Sequence, residues 1–167
     1  CPVCIRGRDM KPEQTNMTEP MSKARLRLWL QLLKLSSGIE GELRRRMRDR
    51  HDTTLPRFDV MAALARHRDG LKMSDLSRYL KVSNGNVTGI VDRLVEEGLA
   101  LRVAVPGDRR ANLARLTAKG EAAFADLAAQ HEAWIDELLA PLTDTDTQIM
   151  MGLLKKAMTQ EARHGSE

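Results

Sequence analysis

Apolar residues recur at steps of three and four near both ends of the chain. The first stretch runs from about residue 22 to Arg50, and its apolar positions are Leu26, Trp29, Leu30, Leu33, Ile39, Leu43 and Met47. A second stretch of apolar residues at this spacing follows Thr117 and ends at Pro141, and a third follows Thr143. Because this spacing places side chains on one face of a helix, the sequence predicts one long helix before the middle region and two after it.

Three shorter helices are predicted in the middle region. The first has Pro56 in its opening turn, where proline is tolerated, and the second ends near Leu80. The third begins at Ser83 or Asn84 and ends at Gly98, since glycine readily adopts the left-handed conformation that follows a helix. An alternative is that Asn84-Gly85 forms a turn and this helix begins later.

A β-hairpin is predicted after the third short helix. Residues Leu99 to Val105 and Ala111 to Leu116 have strand character, and Pro106-Gly107-Asp108 between them has the composition of a turn. The expected fold is therefore mainly α with a small β-hairpin wing. This order of elements is typical of a winged helix–turn–helix that long N- and C-terminal helices flank.

The pattern also suggests how the chain is organised. We expect five segments: a flexible arm or non-native leader at residues 1–20, a long helix at 21–50, a winged lobe at 51–116, a pair of long helices at 117–162 and a tail at 163–167. Cys1 and Cys4 lie in the first segment with no further Cys pair or nearby His, so neither a zinc site nor a redox role is expected.

Composition narrows the function. The net charge is +4 and the pI is near 9.3, which weakly favours a polyanionic partner. Aromatic residues make up only 3%, which disfavours single-stranded nucleic acid because that recognition uses stacking platforms. No apolar run approaches the roughly 20 residues of a membrane span and no secretory leader is visible, so we expect a cytoplasmic, nucleoid-associated protein.

Catalytic patterns are not visible in the sequence. His131, Glu132 and His164 are the candidate metal or acid–base groups, but the second His at the helical spacing of a zinc hydrolase is missing. We therefore expect a protein that is not an enzyme and that holds no metal or cofactor.

The helix that begins at Ser83 or Asn84 is the candidate DNA-reading element. In a helix–turn–helix the second helix places its N-terminal residues on base edges in the major groove. Here we expect these contacts from Ser83, Asn84, Asn86, Val87 and Thr88. Asn can pair with adenine, and the methyl groups of Val or Thr can pack on that of thymine.

Three arginines are expected to bind the DNA backbone or the minor groove. Arg93 lies farther along the same helix, and Arg109 and Arg110 are placed at the hairpin tip, with Asp108 orienting one of them through an ion pair. The alternative for the tip alone is a solvated turn of mixed charge.

These motifs resemble those of the MarR family of bacterial transcription regulators. The resemblance covers about residues 22–160 and includes Val91-Asp92-Arg93-Leu94, Glu97-Gly98-Leu99, Asp108-Arg109-Arg110, Leu116-Thr117 and Gly120. It implies a homodimer in which the first and last two helices interlock and two wings straddle a palindromic operator. Half-sites about one helical turn apart would follow.

The resemblance also implies an effector that releases the DNA, as in a repressor. Its pocket, which takes small anionic aromatics, would be lined by Trp29, Leu33, Arg57, Phe58, Met61 and His131, with Trp134 as a further candidate. For Trp29 and Phe58 the alternative of ordinary core positions is favoured.

The closest similarity within the family is to regulators of aromatic-acid catabolism. Some of these respond to the coenzyme A thioester of a hydroxycinnamate, and the Arg44–Arg50 cluster, with Arg45 in it, would suit a polyphosphate tail. The family's redox branch uses a helical cysteine, which is absent here. The alternative function is a sequence-tolerant architectural DNA-binding protein without an effector.

Overall fold

The computed structural model describes residues 20–81, 83–105 and 107–164. The chain divides into two compact units, one that reaches to Gly38 and one that begins at Ile39, so the boundary falls inside the first helix. The predicted N-terminal arm, together with Cys1 and Cys4, lies outside the described residues.

The element order is the one that the sequence predicts, with one additional short strand. The elements are α1 (Met21–His51), α2 (Leu55–Arg66), β1 (Leu71–Lys72), α3 (Met73–Leu80), α4 (Asn84–Glu96), β2 (Ala100–Val105), β3 (Asp108–Leu116), α5 (Ala118–Leu138) and α6 (Asp144–His164). The prediction of a mainly helical fold with a hairpin wing is confirmed. No helix in the described part of the chain is long and apolar enough to cross a membrane.

The sheet has three antiparallel strands in the order β1-β3-β2. The strand β1, which pairs Leu71 with Ala114 and Lys72 with Leu113, is not predicted by the sequence. Two residues are too short for an alternating pattern to be recognised, and their extended conformation depends on β3 beside them.

Threonine caps fix the starts of two helices. The side chain of Thr54 accepts a hydrogen bond from the backbone N–H of Arg57 and so caps α2. Thr117 caps α5 by accepting from the N–H of Gly120, and its hydroxyl donates to the carbonyl of Gly98 at 2.7 Å. The Thr117 cap therefore also joins the start of α5 to the turn that follows α4.

The main core lies between α2, α3, α4 and the sheet. Val60, Leu64, Leu76, Val91 and Leu94 are all at most 1% exposed within it. Burial of this kind contributes roughly 25 cal/mol per Å² of apolar surface. Since α4 supplies two of these five residues, the core fixes which face of α4 is turned to solvent.

A second core joins the end of α1 to α2 and α5. It contains Leu43, Met47, Leu55, Phe58 and Trp134. An ion pair reinforces it, because the largely buried Arg46 of α1 donates to both carboxylate oxygens of Glu137 on α5, at 2.7 and 3.1 Å, and to Glu42 at 2.7 Å. These contacts anchor the C-terminal part of α1.

Large apolar side chains remain exposed on two helices. On the part of α1 before Gly38 they include Leu26, Trp29 and Leu30, and on α6 they include Ile149, Leu153, Leu154 and Met158. Contiguous apolar exposure on a single chain usually marks a protein–protein surface.

Candidate nucleic-acid interface

The helix α4 begins where the DNA-reading helix was predicted to begin. Ser83 is the N-cap residue in extended conformation, and its carbonyl accepts from the N–H of Val87 at 3.2 Å. Asn84 and Gly85 are therefore the first helical residues, and the alternative in which they form a turn before a later helix is wrong.

The N-terminal part of α4 presents small and polar groups to solvent. Ser83, Gly85, Asn86 and Gly89 are exposed, while Thr88 is half-buried. A Cβ added at Gly85 or Gly89 would meet no heavy atom within 4 Å, so neither glycine is required by packing within the described residues. Asn84 belongs to the helix, but its side chain lies outside what the structure describes.

Val87 is a correction to the predicted DNA-contacting set. Its side chain is 0% exposed and packs in the main core with Val91 and Leu94. Because α4 turns by about 100° per residue, Asn86 faces solvent while Val87 faces inward. The predicted contact between Val87 and a thymine methyl group is therefore wrong.

An arginine-lined cavity, here the basic cavity, opens beside the exposed face of α4. It has a volume of about 520 Å³ and is lined by Arg44, Arg48, Thr53, Thr54, Leu55, Pro56, Gly85, Asn86, Gly89, Ile90 and Arg93. Arg44 pairs with Glu40 on its own helix. Among the described residues, Arg48 and Arg93 have no salt-bridge partner.

Four of the five arginines at the end of α1 thus separate into two groups, while the fifth, Arg50, lies over the ring of Trp134. Arg45 pairs with Glu42 at 2.6 Å and with Asp49 at 3.5 Å, and Arg46 is held by Glu42 and Glu137. Arg44 and Arg48 instead line the basic cavity. Within the Arg44–Arg50 cluster, Arg44 and Arg48 are therefore the arginines that are placed to make the predicted anion contact.

The wing differs from its prediction in where β3 begins. Val105 pairs with Asp108, while Ala104 pairs with Asn112, so the ladder passes over residues 109–111 at an irregularity. The sequence predicts Arg109 and Arg110 at the hairpin tip, but they lie in β3 just after the turn. Their side chains, and hence the predicted pairing with Asp108, lie outside the described parts of the structure.

A polar contact that the sequence does not predict joins the wing to α4. Arg102 of β2 donates to Asp92 of α4 at 2.5 Å. The two residues are ten positions apart and belong to different elements, so helical spacing gave no signal for this pair.

The residues predicted to bind an effector fall in different places. Phe58 is buried in the second core and stacks on His131, with ring centroids 4.6 Å apart. Trp29 and Leu33 belong to the unit that ends at Gly38, and both are exposed there. Arg45 is exposed on α1 in its ion pairs.

Arg57 and Met61 line a second cavity, of about 480 Å³. The guanidinium of Arg57 donates to both carboxylate oxygens of Glu97, which follows α4. This contact lowers the pKa of Glu97 and raises the pKa of Arg57. The pair ties the start of α2 to the end of the candidate DNA-reading helix.

Comparison with known proteins identifies this arrangement. A family model described as MarR family matches residues 51–111. A MarR family transcriptional regulator from Silicibacter pomeroyi has a crystal structure with 33% sequence identity and a TM-score of 0.70, covering 86% of this chain and 99% of that one. The chain belongs to the MarR family.

Two further proteins are similar to this chain. The HTH-type transcriptional regulator MhqR of Bacillus subtilis (strain 168) is 26% identical over 136 residues, which cover 81% of this chain and 92% of MhqR. A MarR mutant from E. coli, solved in complex with operator DNA, is 25% identical with a TM-score of 0.66 and covers 83% of this chain and 99% of that one.

The chain is accordingly a DNA-binding transcriptional regulator of the MarR type. These relatives are regulators, which confirms the prediction that the chain is not an enzyme. The family match spans α2 to the start of β3, and thus includes α4 and most of the basic cavity.

Proposed function

We propose that this MarR family member is a repressor that binds a palindromic operator as a homodimer and that a small aromatic acid, or its coenzyme A thioester, releases it. The observation that carries the proposal is the exposed N-terminal face of α4 beside Arg48 and Arg93. Short polar side chains can contact base edges, and the two guanidinium groups supply the charge that phosphates require.

The homodimer is supported by the exposed apolar side chains of α1 and α6. Trp29 is 55% exposed and Leu153 is 61% exposed. Burial of these exposed apolar side chains against a second copy of the chain would stabilise the protein, and dimers with two-fold symmetry are the commonest assembly. Two-fold symmetry in the protein would then match the symmetry of a palindromic operator.

The basic cavity is the best candidate site for an anionic effector. Arginine binds a carboxylate or phosphate through two parallel hydrogen bonds, and Leu55, Pro56 and Ile90 offer apolar surface to an aromatic ring. The cavity shares Asn86, Gly89 and Arg93 with the exposed face of α4. An occupant would therefore interfere with DNA binding directly.

Fluorescence anisotropy with the intergenic DNA upstream of its own gene tests this function. We expect operator affinity to exceed that for random duplex by roughly 10³-fold or more, and a panel of phenolic acids and their coenzyme A thioesters to contain a compound that releases the operator. Equal affinity for both duplexes, with no active compound, would instead identify an architectural DNA-binding protein.

A variant pair separates the site from general charge effects. R48A should weaken both effector response and DNA binding, because Arg48 lines the basic cavity. R45A removes the same charge from the same helix, but Arg45 is paired with Glu42 and does not line the cavity. If R45A and R48A behaved alike, the basic cavity would not be the site.

A further inference from the structure

Arg93, which lines the basic cavity, has an acidic neighbour one helical turn away. Glu97 lies four positions later, and the backbone is still helical there, since the N–H of Glu97 donates to the carbonyl of Arg93 at 3.0 Å. Both residues are exposed. Opposite charges at this spacing can form an ion pair on the helix surface, and such a pair would occupy the guanidinium of Arg93.

The structure shows a different pairing for this carboxylate. Arg57, at the start of α2, donates to both carboxylate oxygens of Glu97, to one of them at 2.8 Å. The side chain of Arg57 is 22% exposed, so this pair is partly shielded from water. A bidentate arginine–carboxylate pair is strong and directional. Arg93 is left with no salt-bridge partner among the described residues.

The charges around Glu97 agree with this division. The hydrogen bonds from Arg57 are the largest cause of the lowered pKa of Glu97, and the charges of Lys119 and Arg93 lower it further. Lys119 approaches from α5, but its Nζ donates to the backbone carbonyl of Glu97 at 3.0 Å. Arg93 is thus close enough to interact with Glu97, while Arg57 holds the carboxylate.

We propose that Arg57 is a positioning residue for DNA binding, which keeps Arg93 free to bind an operator phosphate by holding the Glu97 carboxylate. This inference rests on the proposed function, in which Arg93 contacts the DNA backbone. The family resemblance implied that Arg57 binds the effector. Here Arg57 instead acts on the basic cavity through Glu97, and neither of these two residues lines that cavity.

The salt dependence of operator binding tests this role. R57M removes the guanidinium but retains a long side chain, so Glu97 becomes available to Arg93. Because each phosphate contact contributes about −0.9 to the slope of log affinity against log salt concentration, R57M should flatten the slope of a dimer by up to about 2, as R93M should. R57M/E97Q lacks the competing carboxylate and should regain the wild-type slope.

Two further variants separate this role from general charge and from a structural tie. R57M/E96Q has the same net charge as R57M/E97Q but retains Glu97, so it should behave like R57M. E97Q alone should bind the operator at least as tightly as wild type. If Arg57 only tied α2 to α4, E97Q would weaken binding as R57M does and would not rescue R57M, and this result would overturn the proposal.

An NMR titration of the Glu97 carboxyl group in the full chain, without DNA, tests the pairing independently of operator recognition. R93M should change the pKa of Glu97 little while Arg57 is present, and should raise it clearly in the R57M background, where Arg93 becomes the pairing partner. An equal effect of R93M in both backgrounds would overturn the proposal. A wild-type salt slope in R93M would instead contradict the phosphate contact that the proposed function assigns to Arg93.

Discussion

At the scale of single residues, adjacent positions of α4 have opposite roles. Asn86 is exposed at the edge of the basic cavity, and Val87 is fully buried in the core. The sequence predicts DNA contacts for both residues because both residue types can contact a base. Residue type alone could not separate them, since the separation depends on which face of α4 the core covers.

Substitution at these two positions should therefore have separable effects. N86A should change the preferred base at one position of the half-site and leave the free energy of unfolding within about 0.5 kcal/mol of wild type. V87A removes two buried carbon atoms and leaves a cavity, which should destabilise the fold by about 2 kcal/mol without changing base preference. Denaturant unfolding and binding-site selection measure the two effects, and a changed base preference in V87A would contradict the burial of that side chain.

His131 gives a pH dependence at the same scale. Burial lowers the pKa of His131 below its ordinary value near 6.5, against the opposing influence of Asp59. The unfolded chain therefore binds this proton more readily than the folded chain, so stability falls as the pH decreases through and below about 6.5. H131F retains an aromatic ring against Phe58 and should reduce this loss. Thermal unfolding from pH 8 to pH 5 tests it, and parallel profiles for wild type and H131F would exclude His131 as the cause.

At the scale of elements, the spacing of apolar residues predicted the six helices, because each long helix has a continuous apolar face that is buried or exposed to solvent. Strand character and turn composition predicted the hairpin. Features that depend on distant partners were not predictable in this way. The strand β1 forms by pairing with β3, and the Arg102–Asp92 contact joins residues of two different elements. Phe58, one of the residues predicted to bind an effector, is buried in the second core.

Gly120 shows how two elements restrict one residue. It lies in the first turn of α5, and a Cβ at this position would be 1.8 Å from the backbone oxygen of Leu99. G120A should destabilise the lobe by about 3 kcal/mol, because the backbone of Leu99 has to move. G41A is the matched control, since a Cβ at Gly41 in α1 meets nothing within 4 Å, and alanine there should stabilise the helix by up to about 1 kcal/mol. Similar effects of the two substitutions on urea unfolding would contradict this packing.

At the scale of the whole molecule, the proposed dimer connects the exposed helices to DNA affinity. L153E places a charge on the apolar face of α6 and should shift the protein to monomer in analytical ultracentrifugation, with a loss of operator affinity. Y79E is the control, because Tyr79 is also exposed but lies on α3. A dimeric L153E would exclude this face of α6 from the interface.

The salt dependence of operator binding tests the two wings together. Each phosphate contact contributes about −0.9 to the slope of log affinity against log salt concentration. If Arg109 and Arg110 both contact phosphates, R109A/R110A removes up to four contacts from a dimer and should flatten the slope by about 3 to 4. R68A/R78A provides a control that removes the same charge from α3 and from the loop between α2 and β1, and it should alter the slope less. An unchanged slope in R109A/R110A would show that the start of β3 does not contact the DNA backbone, and operator recognition would then depend on α4 and the arginines of the basic cavity.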